Sequence, residues 1–81
     1  MLNNIIKLGS VFHYIKATKS IIVKIDNNVK IPKLGQKVFN DEMHEIGYIS
    51  NIFGPISSPF AEIKVNEEEL LSKIIKVYLK E

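Results

Sequence analysis

Residues 46–65 read IGYISNIFGPISSPFAEIKV. This stretch predicts two strands joined by a rigid loop. The segment 46–53 is rich in β-branched and aromatic residues, and Gly47 within it indicates a bend or a close backbone approach. The segment 60–65 alternates apolar and charged residues, so one face of this strand is expected to be buried. The two prolines between these segments lack backbone donors and forbid a helix.

Three more strand-like segments precede this stretch and are separated by turn residues. They are 9–16 (GSVFHYIK), 21–25 (IIVKI) and 37–39 (KVF). The connection 29–34 is expected to be extended, because Pro32 disfavours a helical conformation at the residue before it. The first segment has apolar side chains on both faces, which indicates burial on each side or a face kept for a partner. Short strands at this regular spacing indicate a barrel or a sandwich.

The C-terminal residues 66–81 fit two different structures. Asn66 and Glu69 resemble a capping box, and a helical stripe of apolar residues follows, so the periodicity alone favours one continuous helix. Residues 75–79 also alternate between apolar side chains and Lys or Tyr, as a strand would. The residue pattern leaves both interpretations open.

The composition is that of a globular domain held together by its apolar core. The chain has 81 residues, enough for one domain (1–81), and no cysteine, so disulfides and thiolate metal sites are excluded.

The net charge is +2 and all 11 basic residues are lysine, which argues against a primary RNA or DNA reader, because base readout favours arginine. No segment has the roughly 20 apolar residues of a membrane helix, and 1–8 lacks a signal-peptide core, so we expect a soluble, cytoplasmic protein without membrane contact.

The sequence offers no constellation of residues for catalysis. His13 and His44 are distant from each other in the sequence and have no neighbouring ligands, so we interpret His13 as a polar residue on a half-buried strand and His44 as a solvated loop residue. Ser57 and Ser58 lack the glycine-flanked turn of a hydrolase nucleophile and are expected to support turn hydrogen bonds. The glycines are scattered singly, so no phosphate-binding loop is predicted. We therefore expect no enzymatic activity, no metal and no cofactor.

The segment 53–60 (FGPISSPF) is unusual because a routine hairpin loop is polar. Phe53, Ile56 and Phe60 surround two prolines, so these side chains either fold back to seal a barrel or form an exposed apolar patch. Prolines would hold such a patch rigid before a partner binds, which reduces the entropy lost on binding. The sequence favours neither alternative.

The order of these features resembles the Gar family. The resemblance rests on LGSV at 8–11, His13, KVF at 37–39 and, most specifically, the pair IGYI and FGPISSPF within 46–60, and it extends from Leu8 to Val65. It implies an all-β fold, a small six-stranded closed β-barrel of the reductase/elongation-factor type. It also implies a short helical turn at 67–72 and a closing sixth strand at 74–79, in place of one continuous helix.

The same resemblance implies a function. Members of the Gar family are the small, non-catalytic core subunit of H/ACA ribonucleoprotein particles, the RNA-guided pseudouridine synthases. They dock on the catalytic domain of the synthase subunit, affect guide and substrate RNA only indirectly, and favour substrate loading and product turnover in rRNA modification. The implied docking residues or their supports here are Phe53, Gly54, Pro55, Ile56, Ser58, Pro59 and Phe60, with structural roles for Gly9 and Gly47.

The chain differs in one respect from eukaryotic members of the family, and three alternative functions stay open. The glycine- and arginine-rich tails of eukaryotic members are absent, since the chain has no arginine, so the chain is similar to the archaeal type. The alternatives are a stand-alone RNA-binding barrel, a translation-factor-like barrel module and an assembly factor related to the Gar family.

Overall fold

The computed structural model describes residues 4–80, which form a closed barrel of six antiparallel strands. The strands are β1 (Ile5–Ile15), β2 (Ser20–Ile25), β3 (Lys37–Phe39), β4 (Glu45–Phe53), β5 (Phe60–Val65) and β6 (Lys76–Lys80). Their order around the barrel is β1-β2-β5-β4-β3-β6, which leaves no open sheet edge. The predicted six-stranded barrel is thus confirmed; residues 1–3 and 81 of the predicted domain lie outside the described residues.

The barrel interior is filled by the inward-facing residues of alternating strands. On β2 and β5 the predicted alternation is confirmed, because every second residue of 21–25 and 61–65 is buried and the residues between them are half-buried or exposed. Ser20, at the start of β2, is buried as well. Cross-strand pairs such as Ile21 with Ile63 and Val23 with Ala61 pack across the interior face. The fully buried apolar residues include Leu8, Ile21, Val23, Val38, Ile46, Ile49, Ala61, Ile63 and Val77. Burial of this apolar core is the main stabilising contribution to the fold, and the chain has no cysteine that could add a disulfide.

The first strand begins at Ile5, earlier than the predicted Gly9, because its N-terminal part pairs with β6. A β-bulge interrupts its pairing with β2 between Val11 and His13. Strict alternation therefore ends there, and Phe12 and His13 are both exposed. His13 is therefore an exposed polar residue on a strand of which Leu8 and Gly9 are the buried part.

The C-terminal segment forms a six-residue 3₁₀ helix, Glu68–Lys73, followed by β6. The helix-and-strand prediction is confirmed within one or two residues, and the continuous helix favoured by periodicity is wrong. Pairing of β6 with β1 closes the barrel, and this tertiary pairing overrides the local helical pattern. The capping box was also wrong: the residue before the helix is Glu67, which makes no side-chain capping hydrogen bond. Within residues 4–80, no helix is long and apolar enough to cross a membrane.

Gly9 and Gly47 lie where two backbones approach closely. A Cβ atom built on Gly9 would lie 2.0 Å from the Lys24 carbonyl oxygen, and one on Gly47 would lie 1.8 Å from the Lys64 carbonyl oxygen. Real side chains do not tolerate such contacts, and a backbone atom cannot rotate aside as a flexible side chain can. Both positions therefore require glycine for the strand spacing of the barrel.

The Tyr14 hydroxyl ties β1 to the segment that precedes β6. It donates a hydrogen bond of 2.7 Å to the carbonyl oxygen of Ile74. We expect Tyr14→Phe to lower the free energy of unfolding by about 1 kcal/mol, the usual net value of one hydrogen bond. Urea denaturation measures this change, and Tyr48→Phe, at an exposed position on β4, is the matched control. If the two variants are equally stable, the hydrogen bond between Tyr14 and Ile74 contributes nothing to the free energy of unfolding.

Candidate functional site

The loop between β4 and β5 is a compact turn in which a glycine and two prolines restrict the backbone conformation. Its base is the pair Phe53 and Phe60, the last pair of the β4–β5 ladder. Gly54 adopts a φ of 94°, a left-handed value that favours glycine, and directs the chain into the turn. The Ser58 N–H then donates to the Pro55 carbonyl at 3.0 Å, so this serine takes part in the turn through its backbone. The loop is held in one shape before any partner arrives.

The second half of the loop is anchored to a neighbouring strand. The Ile25 N–H donates a hydrogen bond of 3.1 Å to the Pro59 carbonyl, which joins the loop to the end of β2. Ser58, Pro59 and Phe60 are half-buried, whereas the loop from Phe53 to Ser57 is exposed. The predicted site residues therefore divide into an anchored base and an exposed tip.

Three phenylalanines form a cluster beside this loop, on the outside of the barrel. The Phe53 and Phe60 rings stack with centroids 5.8 Å apart, and Phe12 meets Phe60 edge to face at 5.3 Å. Phe12 is 67% exposed and Phe53 is 41% exposed, so the outer side of this aromatic cluster faces solvent. Sequence reasoning did not place Phe12 in the site; its only signal was the apolar outer face of β1.

Ile56 lies at the tip of the loop and is 99% exposed. It therefore takes no part in sealing the barrel, which was one of the two roles considered for this loop. The prolines on either side of the tip limit the loop's conformations. The loop tip thus projects an apolar side chain from the end of a hairpin whose base carries two rings of the aromatic cluster.

The remaining polar candidates from the sequence do not join this surface as a chemical site. His44 lies in the turn before β4, where its N–H donates to the Asn40 side chain at 2.9 Å. His13 is exposed on β1, whereas His44 lies outside the strands. Within the described part of the chain, no group of three or more His, Asp or Glu side chains is arranged to hold a metal ion.

Comparison with known families decides the relationship. The family model described as "Gar1/Naf1 RNA binding region" matches residues 5–81. The chain belongs to the Gar1/Naf1 family. The resemblance inferred from the sequence is thereby confirmed, and the family associates this chain with H/ACA ribonucleoproteins, as an accessory protein.

A solved structure supports the fold of this Gar1/Naf1 member. The structure described as the Gar1 domain of Naf1 aligns with a TM-score of 0.74 and covers 98% of this chain and 88% of that chain. Its sequence is 21% identical, so the likeness establishes the shared fold alone. No curated protein matches the chain.

Proposed function

We propose that this chain is the non-catalytic, protein-binding subunit of an H/ACA RNA-guided pseudouridylation particle. It docks on the catalytic domain of the synthase subunit through the aromatic cluster and the loop tip. The observation that carries the proposal is the outward placement of Ile56, which is 99% exposed beside the aromatic cluster. An isolated protein gains nothing from keeping such an apolar tip in water, whereas a partner surface that covers it gains binding energy.

The surface has the properties of a protein-binding hot spot. Aromatic rings provide a large contact area with few rotatable bonds, and the anchored loop loses little entropy when a partner binds. Binding energy in such interfaces concentrates in a few central side chains surrounded by near-neutral contacts. We assign the central role to Phe60 and Ile56, with Gly54, Pro55 and Pro59 shaping the loop that presents them.

The proposed role in the particle is to promote substrate RNA loading and product release, in the cytoplasm of an archaeal-type cell. Guide and substrate RNA are affected indirectly, because the basic residues are all lysine and the exposed aromatic rings stack on one another. A protein docked on a catalytic domain can bias a mobile segment over the active site, and such motions often limit turnover.

Two measurements test this function together. Calorimetric titration of the chain into the synthase subunit should give saturable binding in the absence of any RNA. Multiple-turnover pseudouridylation by the reconstituted particle should be faster with the chain than without it, while a single turnover of preloaded substrate should change little. Absence of binding without RNA would refute the docking role.

Ile56→Asp is expected to weaken binding to the synthase subunit by about 2 kcal/mol, because a buried apolar anchor would become a desolvated charge. The change lies on an exposed loop tip, so the barrel should remain folded. Ile31→Asp, at another exposed isoleucine in the connection between β2 and β3, is the matched control. If the folded Ile56 variant binds as tightly as the Ile31 variant, the loop tip is outside the interface.

Direct RNA binding is the second candidate function, because the matching family model is described as an RNA binding region. Titration of guide RNA alone distinguishes the two candidates. A direct RNA reader would bind with an affinity that falls steeply with salt, since neutralised phosphates release counterions. A docking subunit would bind the synthase subunit and show little affinity for the RNA alone.

A further inference from the structure

The strand register places a row of outward-facing residues across five strands of the barrel. From β6 to β4, Lys76 pairs with Ser10, Ser10 with Lys24, Lys24 with Phe60, and Phe60 with Phe53. We call these residues the lysine–phenylalanine row. Neighbouring strands lie about 4.8 Å apart, so the row extends for about 19 Å around the barrel. Its phenylalanine half belongs to the proposed docking surface, and its lysine half continues directly from it.

The lysine half presents two charges across a small side chain. Lys24 and Lys76 are both exposed, and two strand spacings separate their backbones by about 10 Å with Ser10 between them. A shallow cavity of about 270 Å³ lies beside Ser10 and Lys24. Because Ser10 pairs with both lysines and has a small side chain, a carboxylate above Ser10 would lie within reach of two long lysine side chains.

These two lysines have no acidic partner of their own within residues 4–80. The three ion pairs there join Lys7 to Asp26, Lys16 to Glu68 and Lys37 to Glu45. Asp26, the acidic residue that lines the cavity, is thus paired with Lys7 at 3.6 Å. The charge of Lys24 and Lys76 is available to a partner.

The phenylalanine half favours a protein segment over RNA as that partner. Phe60 stacks on Phe53 and makes an edge-to-face contact with Phe12, so the stack with Phe53 already occupies one ring face of Phe60 within the chain. Base recognition on such platforms depends on open ring faces and is usually strengthened by arginine, which this chain lacks. Apolar side chains of a protein partner need only apolar area to pack against, and the ring edges and outer faces of the aromatic cluster provide it.

We propose that the segment of the synthase subunit that covers the aromatic cluster carries acidic side chains that pair with Lys24 and Lys76. This inference rests on the proposed docking function and specifies the chemistry of the partner. The partner segment would carry apolar side chains against the aromatic cluster and, next to them, carboxylates against the two lysines. Such charge pairs at the rim of an apolar contact speed association, fix the orientation of docking and make binding sensitive to salt.

The test uses a double charge reversal and a matched control of equal net charge. Lys24→Glu/Lys76→Glu alters the row, and Lys30→Glu/Lys33→Glu alters two exposed lysines of the β2–β3 connection, outside it. The dissociation constant for the synthase subunit is measured for both and for the wild type at low and high salt. Circular dichroism and thermal unfolding confirm that both variants fold.

The row variant should bind about tenfold more weakly than the wild type at low salt, and the control within about twofold, because paired rim charges contribute more than distant ones. The difference should nearly vanish in about 1 M salt, where the Debye length is about 3 Å. Equal affinities of the two variants, with the wild type binding normally, would overturn the acidic partner but leave the docking function intact.

Two further outcomes would overturn the inference in other ways. If the wild type does not bind the synthase subunit at all, the docking function fails together with the inference. If a labelled single-stranded RNA binds the wild type without the synthase and loses binding to the row variant alone, the lysines contact phosphates and not carboxylates.

Discussion

Replacing Gly47 with alanine is expected to lower the free energy of unfolding by about 3 kcal/mol, the upper part of the range for overpacking a tightly filled interior. The added Cβ would lie 1.8 Å from the Lys64 carbonyl oxygen, 2.9 Å from its carbon and 3.1 Å from the Val65 Cα. All three are backbone atoms of β5, so the clash is relieved only if β4 and β5 separate. Gly47 also pairs with Val38 on β3, so the displacement would disturb both neighbours of β4.

Urea denaturation measures this effect, and Gly35→Ala is the control. Gly35 has a φ of 84° but open space around its Cβ position, so alanine there introduces backbone strain of about 1 kcal/mol without a clash. We expect Gly47→Ala to lower the free energy of unfolding clearly more than Gly35→Ala does. A Gly47 variant as stable as the Gly35 variant would show that β4 and β5 are farther apart than the structure places them.

Replacing Phe60 with alanine is expected to weaken binding to the synthase subunit about a hundredfold, which corresponds to about 2.7 kcal/mol. Phe60 is the only one of the three phenylalanines that contacts both others, through the stack with Phe53 and the edge contact with Phe12. Its removal would therefore take away its own contact area and leave the other two rings without support. We expect a larger effect than at the loop tip, because central, well-packed aromatic residues dominate interface energies.

Stability and affinity must be separated for this variant, since Phe60 is half-buried. Unfolding curves give the fraction folded, and calorimetric titration on the folded protein gives the affinity. Leu34→Ala is the matched control, because Leu34 is 66% exposed and lies outside the aromatic cluster. A folded Phe60 variant that binds as tightly as the Leu34 variant would exclude the aromatic cluster from the interface.

Much of the barrel was predictable from local patterns. Alternating apolar and polar residues identify β2 and β5 as strands, because this period does not fit a helix. The prolines of the loop between β4 and β5 mark where one strand ends and the next begins. The last strand was not predictable in this way. Residues 75–79 alternate as a strand would but also extend the helical stripe that begins at Leu70, and pairing with β1 and β3, which are distant in the sequence, selects the strand. The family resemblance supplied that long-range information.

The candidate site was predictable only in its contiguous part. The loop 53–60 combines prolines with apolar residues, so its unusual character is visible in one short segment. Phe12 is distant in sequence, and it joins the cluster because β2 pairs with both β1 and β5 and so brings these two strands within two strand spacings of each other. The bulge after Val11 also interrupts the alternation, so the faces of β1 could not be assigned from the sequence. The lysine–phenylalanine row depends on four strand registers and is invisible to sequence reasoning.

The central claim is that the loop tip and aromatic cluster lie against the synthase subunit. Methyl NMR on isoleucine-labelled protein tests it directly, because Ile56 at the tip and Ile31 in the β2–β3 connection are both exposed. Addition of unlabelled synthase subunit without RNA should shift and broaden the Ile56 methyl signal and leave that of Ile31 nearly unchanged. An unchanged Ile56 signal at saturation of binding would contradict the account.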